Sequence, residues 1–230
     1  MRAALEAGLA QAGQTLTREQ ADRLCEFGRL LLEKNQVMNL TAITEPEAVA
    51  QLHFLDSLTV LRTADCKGKS IVDVGCGAGF PGVPVAIAEP TARVTLLDSL
   101  QKRMNWLREV LPGLGVEAQV VSARAEEYAA GHREQYDLAV SRAVARLNIL
   151  CELCLPLVKV GGQFLALKGA ATNQEVEEAA GAIAALGGRV ARIAEYPIAG
   201  AIHRIVVIDK VRPTPRQYPR KFAKIKQTPL

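Results

Sequence analysis

The stretch IVDVGCGAGFPGVP, residues 71–84, restricts the fold more than any other part of the chain. A short apolar run carries Asp73 near its end, and Gly75, Gly77 and Gly79 then follow at every second position, with Pro81 and Pro84 close behind. A strand that ends in a turn without side chains and passes into a helix is the opening of a parallel α/β unit, where ligands meet the chain at the carboxyl end of the strand. Any β-carbon in such a turn would hold the ligand away or forbid the dihedral angles required. The turn therefore predicts a cradle for a nucleoside-bearing cofactor, approached through its backbone amides.

What surrounds the turn sets the fold class. Short β-branched runs recur from residue 70 onward, at SIVDV, RVTLLD, EAQVVS, YDLAVS and GQFLALK, separated by segments of helical period such as QKRMNWLREVL, whose Trp106 reads as core. That alternation predicts a parallel sheet covered by helices on both faces. Two more strands, GRVARIAEY and HRIVVID, have only Pro197 to Ile202 between them. A parallel crossover needs about a dozen residues, so the last two must run antiparallel. The expected architecture is α/β and Rossmann-like, with a mainly parallel seven-stranded sheet whose final strand is reversed. Residues 1–62 form a helical cap before a core at 63–210. Within the cap TREQ reads as a capping box from Thr17 to Gln20, and TEPE as a second helix start capped by Thr44 with Pro46 in its first turn.

At 230 residues the chain can bury a core without staples, and no apolar run approaches the roughly 18 residues of a membrane span. The amino-terminal segment lacks the apolar stretch and cleavage pattern of a signal peptide. Five cysteines, an odd number, argue against a disulfide framework and place the chain in a reducing, cytoplasmic setting. Cys151 and Cys154 have no second pair or histidine to complete a metal tetrahedron, so they read as buried thiols one helical turn apart, and no metal is expected. The net charge of +4 is uneven: seven of the 28 Lys and Arg residues follow Asp209 with no acidic residue among them, and the remaining 21 against 24 acidic residues leave the body at −3. A basic tail at 211–230 suits a polyanion such as nucleic acid, or is solvated without a partner.

Two cofactors fit the glycine turn. Gly77, Gly79 and Gly82 satisfy G-x-G-x-x-G, with Asp98 near the distance of a ribose-binding acid, which leaves a dinucleotide open. Asp73 beside the loop, the reversed strand and the lack of a second domain favour S-adenosylmethionine, whose sulfonium and ammonium groups are cationic. Asp73, Gly75, Gly77 and Gly79 would then form the cradle. Asp98, followed by Ser99, would accept the ribose hydroxyls or else cap the next helix. Ala125 and Glu126 would lie at the adenine, unless Glu126 is a solvated carboxylate, and Phe80 would flank the methionine portion or pack.

Methyl transfer from a sulfonium is a displacement that chiefly requires the nucleophile to be held in line. After YDLAV the chain has no Asn/Asp-Pro-Pro-aromatic loop for an exocyclic amine, and Cys154 does not sit in a loop suited to pyrimidine attack. A ring nitrogen with a free lone pair needs neither device, and guanine N7 is the obvious candidate. Ser141 to Ala143 occupy the catalytic-loop position. Arg142 would bind the cofactor carboxylate, a phosphate or the guanine edge, and the alternative is a structural arginine.

With MNLTAIT, HFLDSL, DVGCGAGFPGVP, LLDSLQKR, SRA, ALKG and TPRQYPRK in place nearly from end to end, the chain resembles the bacterial 16S ribosomal RNA guanine-N7 methyltransferase family, also called the glucose-inhibited division protein B family. The resemblance implies a cofactor site at Gly75, Phe80, Ala125, Glu126 and Arg142. It implies guanine 527, in the 530 loop of 16S rRNA, as substrate, with rRNA or the small subunit as partner and no membrane or obligate protein partner. Lys168, Arg204, Arg220 and Lys221 are candidates for RNA contact, although His203 and Arg204 stand in an order that departs from relatives, as does the ending FAKIKQTPL. His53 and Asp56, three apart on a helix, would pair with each other and dock the cap. Other methyl acceptors, and a non-catalytic nucleotide-responsive RNA-binding module, are the competing functions.

Overall fold

The β-branched runs become seven strands: β1 (Ser70–Val74), β2 (Arg93–Asp98), β3 (Ala118–Ser122), β4 (Tyr136–Arg142), β5 (Val158–Lys168), β6 (Gly188–Ile198) and β7 (Ala201–Lys210). In this computed structural model, which describes residues 1–142, 144–169 and 171–230, they form one sheet in the order β3-β2-β1-β4-β5-β7-β6. Strands β1 to β5 pair in parallel, and β7 runs antiparallel to both β5 and β6. The connection that ruled out a crossover is shorter than the sequence showed, because Ile198 already pairs with Ala201. Only Ala199 and Gly200 turn the corner, both at positive φ (49° and 78°), which suits a two-residue hairpin with the strand twist.

Three helical stretches precede the sheet. Residues Arg2–Ala12 form α1, ended by Gly13 in the left-handed conformation, and α2 (Arg18–Met38) opens on the Thr17–Gln20 capping box. The first of these was not read from the sequence, although Leu5 and Leu9 at i, i+4 and a following glycine are its signals. The third begins as α3 (Pro46–Val49), passes through a π-helical turn (Ala50–Leu55) and continues as α4 (Asp56–Thr63). Thr44 does not cap it: Pro46 takes the first helical position, which moves the cap to Glu45, where no side-chain bond is made.

The interstrand helices are α5 (Gly82–Ala88), α6 (Gln101–Val110), α7 (Ala125–Tyr128), α8 (Leu147–Cys154), α9 (Thr172–Glu178) and α10 (Ala180–Ala185). Because side chains alternate along a strand, Ile71 and Leu96 point to one face of the sheet while Val72 and Leu97 point to the other. The first face is sealed by the cap, whose Leu5, Leu24, Phe27 and Phe54 share one apolar cluster with α5 and α6. Trp106 on α6 is core, stacked on Phe27 at 5.9 Å. The second face packs on α8 and α10, with Cys151 and Cys154 fully buried as expected. Burial pushes both thiols upward, so neither is a nucleophile at neutral pH.

The basic tail is docked. It ends in α11 (Phe222–Gln227), whose Ile225 is fully buried on the α8 face. The Arg220 guanidinium holds both carboxylate oxygens of the buried Glu152 on α8, at 2.8 and 2.6 Å. Arg133 donates to the carbonyls of Thr214 and Tyr218, and Thr214 Oγ1 donates to Leu186 O at 2.8 Å.

Candidate active site

A cavity of about 530 Å³ opens across the carboxyl ends of the central strands. Its floor is the glycine turn after β1. One end is built from Asp98 and Ser99 after β2 and Ala123 to Glu126 after β3, and the other from Arg142, Val144 and the cap residues Leu40, Thr41 and His53. The volume lies within the range that small-molecule cofactors occupy.

Most amides of the turn are engaged within the protein. Gly75 and Cys76 N–H donate to Leu97 O at 2.8 and 3.2 Å, Gly79 and Phe80 N–H to Cys76 O at 2.8 and 2.9 Å, and Gly77 N–H to Asp98 Oδ2 at 2.9 Å. The expected approach through backbone amides is thereby narrowed at these five positions. The turn thus offers few donors to a pyrophosphate, which needs several free N–H groups. At Gly75, with φ +73°, a β-carbon would stand 2.4 Å from Val144, so the residue must be glycine for the turn to close against that side of the cavity.

Asp73 is fully buried beneath the turn and does not line the cavity, so it makes no direct contact with a ligand there. Its Oδ2 accepts from Gly82 N–H at 2.7 Å, at the first turn of α5. Burial raises this carboxyl to about 7, against the opposing Gly82 bond, and Oδ1 has no partner among the described residues. Asp98 braces the same turn, with Oδ1 accepting from Leu100 N–H at 2.8 Å. It does not cap α6, whose N-cap is Leu100. Each carboxylate oxygen keeps a lone pair for a ribose hydroxyl at the cavity wall.

At the opposite end Arg142 joins the cap to the sheet. Its Nη1 donates to Leu52 O at 3.0 Å and to Asp56 Oδ2 at 2.9 Å, and its Nη2 donates to His53 Nδ1 at 2.9 Å. His53 and Asp56 thus meet through Arg142 and not by a hydrogen bond to each other. Asp56 Oδ1 is held by His203 Nδ1 at 2.8 Å, which assigns His203 to the inner side of β7. Burial alone would raise the Asp56 carboxyl, but His203 and Arg142 outweigh it and hold it below its ordinary value.

The guanidinium can only donate, so His53 Nδ1 must accept and the imidazole proton sits on Nε2, 2.8 Å from Thr41 Oγ1. Thr41 Oγ1 also accepts from Ile43 N–H at 3.0 Å, which leaves the hydroxyl hydrogen as a donor. Burial first, and Arg142 second, lower His53 to about 4, so the ring is neutral at pH 7. It stacks on Phe80 at 4.4 Å and 17°, and the Arg142 guanidinium lies 5.1 Å over the same phenyl ring. Phe80 both packs and lines the cavity.

Of the residues singled out in the sequence, Gly75, Gly77, Phe80, Asp98, Ser99, Ala125, Glu126 and Arg142 come together here. Glu126 is not solvated; it accepts from Arg124 Nε at 2.5 Å. Gly79 faces away, where a β-carbon would meet Val83 at 2.6 Å and Leu107 at 3.1 Å. Lys168 is neither free nor solvated: its Nζ donates to Ala145 O and Glu175 Oε2, both at 2.7 Å, fixing the segment after β4. Arg204 is paired with Glu195, and Arg220 with Glu152, so of the four RNA-contact candidates Lys221 alone is an exposed cation without a described partner. Ala143 of the SRA segment lies outside the described residues. The sequence did not point to Thr41, Arg103, Arg124 or Phe222, all of which line the cavity. Thr41 lies within MNLTAIT and Arg103 within LLDSLQKR, so the motifs held a signal that residue chemistry alone did not.

Fold and site together define a Rossmann-like methyltransferase, with a carboxylate at the tip of β2, a glycine turn whose amides are mostly engaged within the protein, and a reversed β7. A 16S rRNA (adenine(1408)-N(1))-methyltransferase from Catenulisporales acidiphilia, solved with its cosubstrate S-adenosylmethionine, has the same fold at a TM-score of 0.53 and 17% identity, covering 69% of this chain and 93% of that one. Closer likeness lies in sequence. The family model for rRNA small subunit methyltransferase G matches residues 20–199. The ribosomal RNA small subunit methyltransferase G of Alkaliphilus metalliredigens is 46% identical over 223 residues, covering 94% of this chain and 93% of its own. That of Acetivibrio thermocellus is 44% identical over 235 residues, covering 100% and 97%. The chain belongs to the rRNA small subunit methyltransferase G family. It is an S-adenosylmethionine-dependent rRNA methyltransferase.

Proposed function

We propose that the acceptor is N7 of a guanine in 16S rRNA, at nucleotide 527 in the 530 loop. The observation that carries this is the absence of a base at the acceptor end among the described residues. His53 uses one ring nitrogen to accept and the other to donate, and Asp56, which does not line the cavity, is held by Arg142 and His203 below its ordinary carboxyl value and so is a weak proton acceptor. An exocyclic amine or a hydroxyl would have to lose a proton on methylation, whereas guanine N7 attacks with a free lone pair.

S-adenosylmethionine supplies a methyl group made electrophilic by its sulfonium. Asp98 would hold the ribose and Ala125 and Glu126 the adenine end. Three of the five Arg142 N–H bonds are used within the protein, leaving Nε–H and one Nη2–H for the cofactor carboxylate or the guanine O6 edge. The N7-methylated base is a cation, and an isolated arginine beside it would repel it. Asp56, 2.9 Å from the guanidinium, offsets that charge, which makes Arg142 usable as a clamp. The hydroxyl of Thr41 is a further donor at this end. Partner and compartment follow: the small-subunit rRNA, in the cytoplasm, where five free thiols persist.

Mapping modified nucleotides in rRNA from a deletion strain tests the proposal. Loss of N7-methylguanine from the 530 loop, restored by the wild-type gene and not by an Arg142→Ala variant, is expected. A map unchanged at that loop would refute the acceptor.

A further inference from the structure

The tail was expected as a free basic arm, and it is instead a strap bound across α8. Its anchors fix the position of one residue in particular, Phe222 at the start of α11, which the docking carries into the wall of the main cavity. The guanidinium of Arg124 lies 4.4 Å over the Phe222 ring, and the same Arg124 is tied through Nε to Glu126. Phe222 therefore belongs to the end of the cavity built after β3.

The order of the strands says which part of a bound nucleoside lies there. Along the sheet the tips run β3, β2, β1, β4. Arg142 marks the β4 end and Asp98 the tip of β2, so a ligand whose ribose meets Asp98 and whose amino-acid part extends toward Arg142 must place its base at the β3 end. There an aromatic face is the natural partner for a purine, and stacking on it is insensitive to the pattern of ring substituents. A ring supplied by an exposed loop would lose entropy on binding; this one is already held by Arg124, by the buried Ile225 three residues on, and by the Arg220–Glu152 pair two residues before.

We propose that the carboxyl-terminal strap completes the cofactor site, with Phe222 as the aromatic contact for the adenine of S-adenosylmethionine. The inference rests on the cofactor site proposed above. It assigns the tail a role in cofactor recognition separate from any contact its exposed lysines make with RNA.

Isothermal titration with S-adenosylmethionine, S-adenosylhomocysteine and adenosine tests it on four proteins: wild type, Phe222→Ala, Phe222→Leu and Phe222→Trp. The Ala and Leu variants should bind all three ligands about 10- to 100-fold more weakly by the same factor, since the ligands share only base and ribose, and Trp should retain binding. Leu preserves apolar packing, so it decides the question if the Ala variant fails to fold, as read from Trp106 emission. Wild-type affinity in the Leu variant, or a weakening for S-adenosylmethionine that spares adenosine, would overturn the assignment of Phe222. Failure of the wild-type protein to bind any of the three would instead overturn the site itself.

Discussion

Acidification should weaken the native state through His53, and the size of the effect follows from its surroundings. The ring is 9% exposed, accepts from Arg142 through Nδ1 and has its pKa lowered from 6.5 to about 4. The usual histidine gains a partner and titrates upward; this one titrates downward, so the sign reverses. Between the two values the unfolded chain binds a proton that the native state refuses, and stability rises with pH through that window. A difference of about 2.5 pH units corresponds to about 3 kcal/mol below pH 4, of which roughly 2 kcal/mol is already lost at pH 5. Asp73, raised to about 7, acts in the opposite direction over an overlapping range, so the wild-type profile alone is ambiguous. A His53→Asn variant resolves it, because asparagine places a carbonyl oxygen near the site of Nδ1, keeps the Arg142 bond and does not titrate, while Asp73 is common to both proteins. Urea unfolding followed through the single tryptophan, Trp106, gives the comparison. At pH 7.5 the variant should be less stable, having lost the Thr41 bond and the Phe80 stack. By pH 5.0 the difference should shrink by about 2 kcal/mol. A gap that stays constant, or widens in acid, would show that His53 is not held neutral by burial and Arg142.

Three further outcomes are expected. Asp98→Ala removes the proposed ribose acceptor and the brace on Gly77, and should weaken S-adenosylmethionine binding by about 1.5–3 kcal/mol in calorimetry; unchanged affinity would remove Asp98 from the site. Arg220→Ala leaves the fully buried Glu152 without its cation and should destabilise the chain by about 3–5 kcal/mol, a fall of roughly 10 °C in Tm, with Glu152→Gln milder; equal melting of all three proteins would contradict the anchoring of the strap. Replacing the exposed Lys221, Lys224 and Lys226 by Ala should make the slope of log affinity for rRNA against log salt shallower by about 2, whereas an unaltered slope would leave these lysines without a phosphate contact. Deleting residues 211–230 would not test the same point, since it also strips Ile225 from the core.

Much of the fold was legible because it is encoded locally. Strand runs such as RVTLLD and the Thr17–Gln20 capping box became the elements their patterns require. The six residues between the last two predicted strands excluded a crossover on length alone. Errors fell where one local signal competed with another: Thr44 is a good cap residue, but Pro46 set the helix start one position later. The cavity wall was legible at positions that follow from being at a strand tip, such as Asp98 and Glu126. It was not legible where the role depends on what a group already touches. Asp73 and Lys168 read as free charges near a ligand, and each is committed to a protein partner.

By itself, the sequence determined the strand–turn–helix opening, the class of fold and the family, because these depend on periodicity, on glycine at fixed spacing and on motifs contiguous in the chain. The tertiary structure alone decided the states of the groups around the cavity. Whether an amide in the glycine turn is free, which nitrogen of His53 holds the proton, and whether Arg142 stands charged and alone or beside Asp56 are matters of contacts between residues up to 90 positions apart. The same holds for the tail, whose basic composition suggested a mobile arm while one buried isoleucine and one ion pair with Glu152 fasten it over the cofactor cavity. Hydrogen bonds and ion pairs are short-ranged in space and indifferent to separation along the chain, so a linear pattern can nominate such residues but not assign their partners.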